Sequence, residues 1–516
     1  MKSRRVWTVQ IIIFLCLFIY FTQVSPLVPF DADDWSFLGT MRLPVPMWGV
    51  FNPSKVLPET IGPIVGSIAA FCVYPITHDY IYSITFVQAV TVSLMIVAML
   101  YTFARFLKRG LKLSEKVALV SEAFFFLSFF LLFKRVNSPS YSGFWATDFD
   151  CYFHYIIPGL LNATLVMFLA TSSKFTSEWK EKSLQYKGVF LIAVYFALFS
   201  SPQLSIILAS YSIIQVIMVV FQNYQQQGKR LFSMDFFKEI SVYFGIIVVW
   251  LISIIFDMHG RRAAGVSAAN NGGLLTQLKS TIHSFGALLD NQNKKILLLL
   301  LLLVIFTLVI SLYRLDRDKE KQRVLAQLLE FLSCLALSFV YLMLAYSKAG
   351  AGYAGRIDAM WAVIMYFLVL VSVSFAYLLS KYRVVKVVTP LVLVLATLIV
   401  ANFDYLPAPA NVGGYDAVTA RNVDNYIINQ ITQADRNGKA KVTVKVPLGP
   451  GKVTPKDPSS NWPHAYYMAK WLQNTLYSHG IIRNRIEITI KPDKQLNKRF
   501  YPNVKNQQKF TPLEIK

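Results

Sequence analysis

Long apolar runs alternate with short polar connections along most of the chain. A helix that crosses a bilayer needs about 20 largely apolar residues. The runs at 8–24, 80–107, 117–134, 154–172, 188–202, 203–221, 239–256, 296–313, 324–346, 357–379 and 387–403 are read as spans of this kind. A further stretch, 60–76, is short and carries Gly62, Pro63, Gly66 and Pro75. Counting it as a span would put Lys108, Arg109 and Lys112 outside. Leaving it out puts the basic connections 108–116, 174–187, 229–238, 314–323 and 381–386 on the cytoplasmic side together, as the positive-inside rule asks. The stretch 60–76 is therefore expected to lie at the outer interface or to re-enter from it. The first run follows Lys2, Arg4 and Arg5 and leads into Ser25-Pro-Leu-Val-Pro-Phe30 without a convincing small-residue cleavage site. It reads as an uncleaved span running from inside to outside. Residues 25–79, 135–153, 257–295, 347–356 and 404–516 then fall outside.

The pattern changes after Asn402. Pro407, Pro409, Gly413 and Gly414 make a linker, and residues 415–434 take helical spacing. Residues 439–446 (KAKVTVKV) alternate in the manner of a strand, as do 486–490 (IEITI). Between them, Asn461-Trp-Pro463 can open a helix through Tyr477, with Gly480 as its stop. The expected fold is an all-α polytopic membrane protein of about 11 transmembrane helices, with a small α/β extracytoplasmic C-terminal domain. Residues 1–403 form the transmembrane domain, with its outer loop 25–79, and 404–516 the outer domain. The N-terminus is cytoplasmic, the C-terminus extracytoplasmic, and the expected location the cytoplasmic membrane.

Composition agrees. The 516 residues are 55% hydrophobic and only 15% charged, against roughly 25% charged in soluble domains. With a mean hydropathy of +0.46, this excludes a soluble enzyme and a disordered chain. The formal charge is +23. In a membrane protein that excess reads as positive-inside loops and attraction to anionic lipid or polymer, not as nucleic-acid binding. The outer domain alone holds 17 Lys and Arg against 8 Asp and Glu. Four isolated cysteines offer neither a disulfide framework nor zinc spacing.

Candidate chemistry collects in the outer loops. Directly after the first span come Asp31, Asp33 and Asp34, followed by Trp35. Clustered carboxylates repel one another. They can hold a divalent cation, or keep one member poised as a base; a solvated acidic loop is the plainer alternative. Lys55, in the polar run 52–59, is either a phosphate contact or an ordinary interfacial lysine. The loop 135–153 brings Asp148 and Asp150, with His154 at the mouth of the next span. The loop 257–295 brings His259, Arg261 and Arg262, and paired arginines suit phosphate or a bound lipid. Gly350, Gly352 and Gly355 precede Arg356, either as an anion cradle or as a flexible turn beside a snorkelling arginine. Walker, Rossmann, HExxH and GxSxG motifs are absent.

One span, an outer loop opening on Asp33-Asp34-Trp35, a polar stretch from Asn52 to Glu59, about ten further spans and an outer C-terminal domain together resemble the GT-C superfamily of integral-membrane glycosyltransferases. The closest likeness is to bacterial O-antigen glucosyltransferases and their wall-polymer relatives. It covers residues 1–403 as architecture and rests on a short motif. The resemblance implies transfer of one sugar from a polyprenyl-phosphate carrier to an acceptor hydroxyl outside the membrane. It implies Asp33 or Asp34 as base with Asp31 in support, and Lys55, Arg261, Arg262 and Arg356 as candidate phosphate contacts. Asp148, Asp150, His154 and His259 are secondary candidates. A divalent cation serves some relatives and not others. The basic outer domain suits an anionic acceptor such as a teichoic acid or another cell-surface polysaccharide, or else anionic lipid. Alternative readings are a polysaccharide polymerase or ligase, a lipid-linked sugar flippase without chemistry, and a protein-modifying transferase of the same superfamily.

Overall fold

The computed structural model describes residues 4–172, 175–227, 234–269, 273–313, 319–402, 407–410, 416–448, 462–463 and 468–501. The chain is mostly helical: α1 Arg4–Val24, α2 Ala32–Gly39, α3 Pro58–Thr77, α4 Tyr80–Arg109, α5 Glu115–Leu131, α6 Phe149–Leu169, α7 Phe175–Trp179, α8 Leu184–Leu198, α9 Pro202–Gln227, α10 Met234–Met258, α11 Arg261–Ala269, α12 Leu274–Asp290, α13 Lys294–Leu312, α14 Lys319–Ala349, α15 Trp361–Lys381 and α16 Arg383–Ala401. Among the described residues ten helices are long and apolar enough to cross a membrane: α1, α3, α4, α6, α9, α10, α13, α14, α15 and α16. This is a multi-pass membrane protein.

The ten differ from the eleven expected spans in three places. The runs 117–134 and 188–202 form shorter helices, α5 of 17 residues and α8 of 15. The second stops because Phe199 leaves the helical region and Pro202, which has no N–H to donate, starts a new helix. Conversely, the stretch around 60–76 forms a full helix, α3, of 20 residues. Its three prolines are accommodated: Pro58 occupies the first turn, Pro63 lies within the helix, and a π-helical turn, Ala69–Val73, precedes Pro75. Three contacts spread along α3 belong to one end of the molecule. Gly62 meets the Phe37 carbonyl, Gly66 meets Leu38 and His479, and Phe71 lies against His479.

At the centre stand α6 and α15. Trp361, at the start of α15, is fully buried and packs on Gly159 of α6, where an added Cβ would come within 2.5 Å of the indole ring. Its indole N–H donates to the Gly143 carbonyl at 2.7 Å. Helices α10, α13 and α16 are peripheral. Leu298, Leu302 and Ile305 on α13, and Val384, Val387 and Leu391 on α16, stay exposed and suit lipid contact.

The C-terminal module contains α17 Ala417–Arg436, β1 Lys441–Pro447, α18 Met468–Ser478, β2 Glu487–Asp493 and α19 Leu496–Phe500. The two strands pair in parallel, with Lys441 opposite Glu487 and Val444 opposite Ile490. A parallel pair needs a crossover connection, and α18 lies within it. Asp416 caps α17 by accepting from the Thr419 amide at 2.9 Å, and Gly438, at φ +67°, follows the end of that helix. Each element lies within a few residues of its expected bounds. The helix expected from Asn461 is described only from Met468, since Asn461 and 464–467 lie outside the described residues.

The module seats on α2. A Cβ on Gly39 would stand 2.0 Å from Thr475 Oγ1. Thr475 Oγ1 donates to the Trp35 carbonyl at 2.5 Å, Tyr80 and His479 share a hydrogen bond of 2.5 Å, and Arg421 pairs with Asp79 at 2.6 Å.

Candidate active site

The bend after α1 turns the acidic run in on itself. Asp31 is the N-cap of α2, and Asp34, three residues on, completes a reciprocal capping box. One Asp34 oxygen accepts from the amides of Phe30 at 2.6 Å and Asp31 at 2.9 Å. The other accepts from the Asp150 amide at 2.8 Å. Fully buried, Asp34 clamps the first outer loop to the start of α6. Asp33 points the other way. It carries no hydrogen bond or ion pair among the described residues and reaches into a cavity of about 670 Å³. Burial raises its carboxyl above the ordinary range, against the pull of Arg262 and Lys55. Asp31, raised by burial as well, lines the same cavity.

The opposite wall is basic. Lys55 is buried, and its ammonium forms no hydrogen bond or ion pair among the described residues. Burial and the nearby Arg262 lower its pKa to about 8. The loop that carries it is built around Arg42, which bonds Glu59 at 2.8 Å and the carbonyls of Asn52, Val45 and Pro53. Ser54 ties the loop to Asp257 at 2.9 Å, and Arg261 reaches back to Val50 through its amide and to Gly49 through Nε. Arg262 extends instead to the Tyr353 hydroxyl at 2.9 Å. Arg356 lies over the rings of Tyr155 and Tyr353, at 5.1 and 5.3 Å, and pairs with buried Asp358 at 2.7 Å. Asp358 also accepts from the Thr147 hydroxyl at 2.9 Å, so the second outer loop is held to the fourth.

Eight of the eleven residues singled out in the sequence meet at this cavity: Asp31, Asp33, Lys55, Asp148, Asp150, His154, Arg262 and Arg356. Three do not line it. Asp34 is spent on backbone amides. The Arg261 side chain bonds the Gly49 carbonyl outside the cavity. His259 stacks on Trp48, with ring centroids 4.2 Å apart, and bonds the Ile255 carbonyl. His154 is buried against Phe37, and neither ring nitrogen has a partner among the described residues. It sits in a π-helical turn, Tyr152–Ile156, just ahead of Pro158.

The sequence reading missed four contributors. Arg42 and Tyr353 shape the wall, Cys151 lies between Asp148 and Arg356, and Trp471 enters from α18. Only Tyr353 had a local signal, its place in the glycine run before Arg356. Asp148, Asp150 and Cys151 each bring a ligand atom within 4.8 Å of the others. They do not fit a hard divalent ion. The thiol is a soft donor, and the Arg356 guanidinium lies 3.2 Å from its sulfur, where it would repel a cation. No family model, curated protein or solved structure matches the chain.

Proposed function

We propose that this protein is a glycosyltransferase of the GT-C kind, acting at the outer face of the cytoplasmic membrane. It moves one sugar from a polyprenyl-phosphate carrier to a hydroxyl of a cell-surface polymer. The observation that carries this reading is one cavity with Asp33, a carboxylate that has no hydrogen bond or ion pair among the described residues, on one wall and Lys55, Arg262 and Arg356 on the other. Glycosyl transfer from a phosphate carrier needs both. Asp33 takes the proton of the acceptor hydroxyl, and that oxygen forms a bond to the anomeric carbon. The bond from the anomeric carbon to the phosphate oxygen breaks, and polyprenyl phosphate leaves with the electron pair. Lys55 and Arg262 stabilise the charge that develops on it. Arg356, its charge already shared with Asp358, supplies a fixed edge to the phosphate pocket. Asp34 positions the base and does not touch substrate. The excess of cations in the C-terminal module suits an anionic acceptor such as a teichoic acid.

The test uses full-length protein in proteoliposomes with radiolabelled polyprenyl-phosphate hexoses and crude wall polymer. Asp33→Asn is expected to abolish label transfer while leaving the melting temperature in place. Asp34→Asn sets an amide NH₂ where a carboxylate accepted three backbone N–H bonds, and is expected to cost about 2–4 kcal/mol of stability. Full transfer by Asp33→Asn would remove the assignment of the base. Lipid-linked sugar crossing the bilayer without product would replace a transferase with a flippase.

A further inference from the structure

We infer that the end of the bundle opposite the candidate active site carries a separate binding site for a phosphate-bearing anion, best suited to a phospholipid headgroup. A cavity of about 830 Å³ lies there, where the α4–α5 turn, the first turns of α14 and α16 and the last turn of α15 meet. Five cations line it: Lys112, Lys116, Lys319, Arg323 and Lys386. None of the five is in an ion pair among the described residues. The one lining acid, Glu320, pairs with Lys381 at 2.8 Å. The nearby Glu115 is taken by Lys108 at 2.5 Å. Among the described residues the local charge is therefore positive.

The backbone adds to the field. Helix α5 starts at the cavity wall behind its cap Ser114, α14 enters through Lys319, and α16 presents Lys386 from its first turn. The amino ends of helices carry partial positive charge and free N–H groups, which favour anions. Lys112 holds φ +58°, a conformation that is costly for a residue with a Cβ, and this puts a lysine at the tip of the α4–α5 turn. The floor is apolar, formed by Leu111, Leu113, Val117 and Leu379. Beside the opening, Val384, Val387 and Leu391 of α16 are exposed. A diacyl lipid could lay its chains along that helix with its phosphate among the five cations, an arrangement a free anion does not need. The inference does not depend on the glycosyltransferase reading.

The test compares full-length protein in nanodiscs of phosphatidylcholine, the same nanodiscs with inorganic pyrophosphate, and nanodiscs containing phosphatidylglycerol. Phosphatidylglycerol should raise the melting temperature of the wild type. The variant K112Q/K116Q/R323Q/K386Q should lose that rise, with its apparent affinity weakened by about tenfold or more. A control on the same face, K180Q/K182Q/K187Q, should keep it. A rise with pyrophosphate that is lost in the same variant would identify a soluble phosphate compound as the ligand. Equal rises in wild type and the quadruple variant, or no rise with either probe, would overturn the inference. If the quadruple variant does not fold, K112Q/K386Q with native mass spectrometry of retained lipid decides on the same criteria.

Discussion

Lys55 is buried and forms no ion pair among the described residues, and burial together with the nearby Arg262 lowers its pKa to about 8. In the proposed reaction it must be charged to hold the donor phosphate. Asp33 must be ionised to take the acceptor proton, and burial raises its pKa. The transfer rate per unit of donor, kcat/KM, should therefore be bell-shaped, since it reports the free enzyme. It should decline on the acid side as Asp33 protonates, and on the alkaline side as pH rises through about 8 and Lys55 loses its proton. Lys55→Arg, which stays charged, should flatten the alkaline limb; an unchanged limb would assign that titration to another group. The acidic run and the lysine were both legible in the sequence, because acids are scarce in this chain and stand out. Their directions were not. Asp33 and Asp34 are adjacent, yet one faces the cavity and the other the backbone, and only the fold of residues 25–31 against α6 decides between them. Arg261 and Arg262 diverge in the same way, because successive residues at the start of a helix point about 100° apart.

At the scale of elements, the docking of α18 on α2 controls the shape of the site, since it brings Trp471 to the cavity wall. The approach depends on Gly39. Its missing side chain admits the backbone of Thr475, whose Cα would lie 2.6 Å from an added Cβ. Gly39→Val should push the module off α2 at a cost of about 1–3 kcal/mol. Tryptic cleavage at Lys439, which follows the α17 end, should then become faster, while cleavage in the bundle stays as it was. Equal protection of Lys439 in variant and wild type would show that the module is held elsewhere. This contact had no signature in the sequence. Helices and strands within the module show in periodicity, which is a local property. A glycine that touches a threonine 436 positions later does not. The helix bounds show a related effect: Pro202 starts a new helix, so the run 188–202 ends as a shorter one, and 58–77 forms one continuous helix through a π-helical turn before Pro75.

Across the described residues, the short basic connections gather at one end. The candidate site, the module and the connections after α1, α5, α8, α10, α14 and α16 share one end. The other end holds the turns with Lys108, Arg109, Lys112 and Lys116, the segment with Lys180, Lys182 and Lys187, and the starts of α14 and α16. Cationic connections resist translocation when they are short, whereas long domains cross regardless of charge. The short basic turns are thus expected to stay in the cytoplasm, and the module, basic as it is, to lie outside. Single-cysteine reporters on a background with the four native cysteines replaced test this directly. Lys439→Cys on the module should react with a membrane-impermeant maleimide in intact cells. Lys180→Cys, between α7 and α8, should react only after permeabilisation. The reverse pattern would turn the molecule over, put the Asp33 cavity on the side where nucleotide sugars are made, and remove the reason for a lipid-linked donor.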